Sequence, residues 1–151
     1  HFINMYNDKT LRNKIYSTSK SMGESTQVIH ALNHIIQNMK MEEIEYVFKI
    51  SGRYWLSNEF DYRLFDNNMC VVKPIRKNEH NVLTALYKIP TCYISKYIQH
   101  LKRSHKQFEE CIGLEVNFAQ FIQTIQYQHK IFMDPIGLEG YVSINGNPYS
   151  G

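Results

Sequence analysis

The chain has 151 residues, 43% hydrophobic and 21% charged, with seventeen Lys and Arg against fourteen Asp and Glu for a net charge of +3. That length suits one domain with a core of its own, and the composition excludes a disordered, collagenous or coiled-coil chain. A charge of +3 is too weak to argue for nucleic acid by itself, and no apolar run approaches the ~18 residues of a membrane span.

No charged-then-apolar segment opens the chain in the manner of a signal peptide. Residue 1 is His rather than Met, so the sequence reads as lacking a natural start. Cys70, Cys92 and Cys111 are odd in number, widely spaced and without a CxxC. They fit reduced thiols in a reducing compartment, and the expected location is cytoplasmic. The absence of any Asn-x-Ser/Thr acceptor agrees with that.

The stretch from His1 to Ser19 is polar and weakly patterned, with room for one short helix over Lys9–Tyr16. Val28, Ala31, Leu32, Ile35, Ile36 and Met39 then recur at helical spacing and predict a helix over Met22–Met39. Ser21-Met-Gly-Glu24 fits a capping box at its start. Glu45–Ile50 is a compact β-branched and aromatic run, apolar at alternate positions of both faces, which predicts a buried, central strand. Met69–Lys73 and Leu83–Ile89 predict two more strands, with Pro74 and Pro90 at their ends, where a missing amide does least harm. Ile94, Tyr97, Ile98 and Leu101 mark a helix that reaches less cleanly to Phe108, and Leu114–Ile125 carries another apolar face. Leu138, Gly140, Val142 and Ile144 alternate as terminal strands should, before a frayed glycine-rich end. Helices alternating with buried strands predict an α/β domain with a mixed sheet, the Met22–Met39 helix packed across the first strand. No linker or repeat divides residues 1–151, which read as a single domain.

Lys49-Ile-Ser-Gly-Arg-Tyr54 is the string richest in chemistry. A buried strand rarely accepts Lys, so Lys49 requires an exposed end or a partner. Gly52 permits a tight turn or the close approach of a ligand, and Arg53 offers a planar fork to phosphate or carboxylate. In open α/β sheets ligands bind beyond the carboxyl ends of strands, where this cluster falls. The alternative reading is a plain turn whose Arg makes an ordinary ion pair. His30 and His34 stand one helical turn apart without the Glu of an HExxH zinc site. Val47 stands where an acid-x-Lys nuclease needs an acid. Gly137-Leu-Glu-Gly140 lacks the Lys and spacing of a phosphate loop.

Lys20-Ser-Met-Gly-Glu24, the amphipathic helix and Val47-Phe-Lys-Ile-Ser-Gly-Arg-Tyr54 together resemble a group of glycosyltransferases of bacterial and large-virus surface-polysaccharide synthesis. Their pattern is KGxGE, a helix, then a strand ending K-[IL]-[ST]-GRY. Thr84-Ala-Leu-Tyr87, Gly113-Leu-Glu115 and Gly137-Leu-Glu-Gly140 extend the resemblance over roughly Lys20 to Gly146. It implies the GT-A nucleotide-diphosphosugar fold, a Rossmann-like mixed sheet, here without the first strand and its nucleotide loop, so that the chain reads as a fragment or shortened member. It also implies a nucleotide-sugar donor bound by Lys20, Gly23, Glu24, Lys49, Gly52, Arg53 and Tyr54, with a glycan or lipid-linked acceptor. Glu115 takes the place of an acidic residue late in such domains, suited to accept the acceptor hydroxyl's proton. Ser51–Tyr54 stands where relatives carry a metal-binding Asp-x-Asp. No Asp-x-Asp occurs, so no cofactor is expected, and Arg53 and Lys20 would neutralise the diphosphate instead. A divalent ion would need Glu59 or Asp61 to fold back. The rival class is a non-enzymatic module holding single-stranded nucleic acid on Tyr beside Lys or Arg, and a third is a catalytically dead remnant. With the transferase reading no stable nucleic-acid partner is expected.

Overall fold

The computed structural model describes residues 4, 5, 7–142 and 146–151. Helix α1 (Lys9–Ile15) is capped by Asp8, whose carboxylate accepts from the amides of Thr10 and Leu11. Helix α2 (Lys20–Asn38) begins two residues before the sequence pattern placed it. Its cap is Ser19, whose hydroxyl accepts from the Met22 amide at 3.2 Å, and Ser21 lies inside the first turn. The capping box does not form, because with Ser19 as the cap its third helical position falls on Met22, and Glu24 pairs with Lys49.

The strands are β1 (Tyr46–Ile50), β2 (Tyr54–Leu56), β3 (Cys70–Val72), β4 (Pro74–Ile75), β5 (Asn78–Val82) and β6 (Leu86–Pro90). Helices α3 (Thr91–Arg103), α4 (His105–Glu109) and α5 (Leu114–Gln123) follow, then β7 (Lys130–Phe132), β8 (Leu138–Val142) and β9 (Asn147–Ser150). The main sheet runs β1-β6-β3-β7, with only the β3–β7 pair parallel. A second sheet runs β2-β8-β9, and β4 and β5 form a hairpin. The chain is thus a mixed α/β domain with a mixed sheet.

One expectation fails here. The strand predicted as central is an edge: β1 pairs with β6 alone among the described residues, and the fully buried β6 is central. Apolar residues on both faces report that layers cover a strand above and below. They say nothing of neighbours to left and right. Val47, Tyr87, Ile89, Cys70 and Val72 face the helices, in one core with Leu32, Tyr97, Leu101 and Phe118. Phe48, Val71, Leu86 and Ile131 face the second sheet, in a core with Phe65, Ile136 and Leu138. The architecture is three layers: helices, main sheet, small sheet.

The predicted Leu83–Ile89 strand also starts late. Residues 83–85 bend instead, with the Leu83 amide bonded to the Lys73 carbonyl and the Ala85 carbonyl taken by the Ser51 amide. The end of the chain is not frayed, since Gly151 and Leu138 exchange both backbone hydrogen bonds, at 2.7 and 2.9 Å. Ile144 lies outside the described residues. No helix among the described residues is long and apolar enough to cross a membrane.

Gly23 serves packing. A methyl group there would stand 2.6 Å from the Ile15 carbonyl oxygen, so α1 docks on α2 only through a glycine. Gly23→Ala should cost about 1–3 kcal/mol as the helices part, measured by urea unfolding. A change below about 0.5 kcal/mol would show that α1 moves away freely.

The core also sets the response to alkali. Burial pushes the Cys70 thiol from 9.0 up to about 12 and raises the Tyr87 and Tyr97 hydroxyls above their ordinary value of 10.0. The two hydroxyls lie 3.4 Å apart. Groups whose acid form is favoured by folding contribute stability that is complete below their unfolded values and lost as pH rises past them. Stability should therefore fall progressively above about pH 9–10. Lys88, whose pKa burial lowers, opposes the trend as one group against three. Unfolding free energies across this range, followed with tyrosinate absorbance, check the sign. A stability that rises with pH would refute it.

Candidate functional site

Lys49 is the fourth residue of β1 and points to the helix side, beside Tyr87 of the neighbouring strand. Its ammonium donates to Glu24 Oε1 at 2.5 Å, to Ser51 Oγ at 2.6 Å and to the Thr84 carbonyl oxygen. An ammonium has three N–H donors, and all three are engaged. Nζ also lies 5.7 Å from the centre of the Tyr87 ring, within cation–π range. The bend at residues 83–85 is what turns the Thr84 carbonyl towards β1. The hydroxyl of the same Thr84 donates to Glu115 Oε1 at 3.3 Å. One hydrogen-bonded chain thus joins Glu24, Lys49, Thr84 and Glu115, from α2 through β1 and the bend before β6 to the first turn of α5.

Above this chain lies an open cleft of 360 Å³, lined by Glu24, Gln27, Lys49, Ser51, Gly52 and Arg53 among others. Its wall on α2 consists of residues three and four apart, one face of the helix. Residues 51–54 close a tight turn, the Tyr54 amide bonded to the Ser51 carbonyl at 3.0 Å. Gly52 is not needed for that turn. Its backbone is not left-handed, and nothing lies within 4 Å of the place a methyl group would take. Arg53 is exposed, and its guanidinium makes no ion pair among the described residues. The cleft therefore has one neutralised carboxylate at its floor and one uncommitted cation at its rim.

Glu24, Lys49, Gly52 and Arg53 line the cleft, and Glu115 is linked to it through Thr84. Lys20 does not line it. It is exposed at the start of α2, one helical turn before Glu24 on the same face. Gly23 faces α1, away from the cleft. Tyr54 enters β2 and packs edge-on against Tyr149, 5.9 Å between ring centres. Sequence reading passed over Ser51, Thr84 and Gln27 as site residues. Thr84 carried a signal, as a hydroxyl residue in an otherwise apolar run, but its partners lie 35 and 31 residues away.

The residues do not fit a divalent cation. Hard cations need several oxygen ligands, and the cleft's carboxylate, Glu24, is taken up by the Lys49 ammonium. Asp61 does not fold back: it caps the short helical turn Tyr62–Leu64 and grips Arg63 at 2.8 and 2.9 Å. Glu59 does not line the cleft either. No group of three or more His, Cys, Asp or Glu gathers as a metal site among the described residues.

Comparison with protein-family models, with curated proteins and with solved structures finds no match to this chain.

Proposed function

We propose that this chain is a nucleotide-sugar-dependent glycosyltransferase domain, a shortened member of the GT-A class, moving a sugar to a glycan or lipid-linked acceptor. One observation carries the reading. The sequence blocks that resemble those enzymes, around Glu24, Lys49–Arg53, Thr84 and Glu115, meet in one hydrogen-bonded chain beside one cleft.

In this reading Arg53 clamps the donor diphosphate through paired N–H groups, and Lys20 adds positive charge farther along the α2 face. The open space at Gly52 admits the phosphates close to the backbone. Lys49 cancels Glu24, which otherwise would repel them. In the transfer the acceptor oxygen forms its bond to the anomeric carbon and the bond from that carbon to the phosphate oxygen breaks. The diphosphate leaves with the electron pair, and the hydroxyl proton passes to Glu115. No step passes through a metal ion.

The test is a thermal-shift and calorimetric titration against a panel of uridine, guanosine, cytidine and thymidine diphosphosugars. A charge-assisted hydrogen bond is worth about 1.5–3 kcal/mol, so Arg53→Ala should weaken donor binding at least about tenfold without loss of folding. Excess chelator should leave affinity unchanged, and Glu115→Gln should abolish turnover while the donor still binds. Binding without turnover in the native chain would assign the remnant reading. No donor shift together with salt-dependent oligonucleotide binding would assign the nucleic-acid module.

A further inference from the structure

The small sheet β2-β8-β9 turns one face inward, where Tyr54, Leu138 and Tyr149 pack on the second core. Its other face is open. The register sets Trp55 opposite Glu139 and Glu139 opposite Ser150, while Tyr141 stands opposite Pro148. Trp55 and Tyr141 are 45% and 51% exposed, large values for aromatic side chains that touch each other. Their rings lie 5.5 Å apart at 63°. The indole N–H donates to Glu139 Oε2 at 3.1 Å, which holds the Trp55 ring in place. With Pro148 and Ser150 these residues line a shallow groove of 370 Å³.

The geometry points to this face as the binding platform for a saccharide chain, the acceptor of the proposed transfer; the inference rests on that reading of the cleft. Sugar rings present C–H faces to the electron-rich face of an aromatic ring and hydroxyls to a carboxylate. The groove offers both: two exposed aromatic rings and the remaining acceptor capacity of Glu139. Charge decides against nucleic acid. Stacked bases bring a phosphate backbone that needs Lys or Arg, whereas no cation lines the groove and its one charged group is a carboxylate. Position decides for the acceptor. Arg53 lines the cleft and immediately precedes β2, two residues before Trp55. Two residues of chain span at most about 7 Å, so a chain lying on the platform has its end within reach of the cleft.

Trp55 is the single tryptophan of the chain, so its fluorescence, excited at the red edge where the eleven tyrosines do not absorb, reports on this face alone. The experiment titrates the full chain with maltohexaose, cellohexaose and chitohexaose, with an oligothymidylate as control, and measures the donor thermal shift in parallel. At least one hexaose should produce a saturable change. Tyr141→Ala and Glu139→Ala should each weaken it about tenfold or more, with the melting temperature and the donor shift intact. No saturable change up to about 10 mM of any hexaose overturns the proposal. So does a change that both variants leave intact, or one given by the oligothymidylate alone. A donor shift without saccharide binding defeats the platform and spares the cleft. Saccharide binding without any donor shift defeats the transferase reading and leaves a glycan-binding face.

Discussion

Replacing Lys88 by Met should destabilise the protein by about 3 kcal/mol, through two backbone carbonyls left without a donor at about 1–3 kcal/mol each. Lys88 is fully buried in the central strand β6, in register with Phe48 on one side and Val71 on the other. Its ammonium donates to the Phe65 carbonyl, to the Asn67 carbonyl and, at 2.8 Å, to Asn67 Oδ1. It also lies 4.6 Å from the centre of the Tyr46 ring. Burial lowers its pKa, and no carboxylate forms an ion pair with it among the described residues. The cation is held by carbonyl dipoles and a ring face, and in return it pins residues 65–67 to the sheet. Methionine matches the length of the stem and keeps its packing, so the loss isolates the ammonium. Urea unfolding with constant slope gives the number, and amide exchange should show residues 62–68 opening first. A cost below about 1 kcal/mol would mean that the loop carbonyls find water without difficulty.

The second large effect joins stability to function. Lys49→Met should cost about 2–3 kcal/mol, because the Thr84 carbonyl loses its donor and Glu24 is left as an uncompensated carboxylate. The figure stays below that of a fully buried pair, since the Glu24 side chain is 34% exposed. Donor binding should suffer more than in Arg53→Ala, for the freed carboxylate then faces the diphosphate. Adding Glu24→Gln should restore much of the stability, as the two positions share one interaction. A double-mutant cycle decides the matter. Strictly additive costs would mean that Glu24 and Lys49 do not depend on each other, and the chain from α2 to α5 would lose its first link.

The sequence by itself determined the local elements with strong periodicity. α2, α3 and α5 carry apolar residues at helical spacing, and β1 and β6 carry β-branched and aromatic runs, because local burial patterns repeat within a few residues. It also singled out Lys49 as a charge in need of a partner and Arg53 as a planar fork for an anion, while leaving open whether that fork was already paired. Only the tertiary structure decided the rest. That β1 lies at an edge depends on which strands pair beside it, which the alternation of faces does not encode. Strand β7, three residues long and paired in parallel with β3, has too little pattern to be read locally. The partner of Lys49 stands 25 residues earlier in the chain, and the carbonyl beneath it comes from a bend that sequence reading took for strand. The shared outer face of Trp55, Glu139 and Tyr141 arises from strand register across more than 80 residues. Periodicity is a property of neighbours along the chain, whereas a site is made by neighbours in space, and those are chosen by the packing of layers and the register of strands.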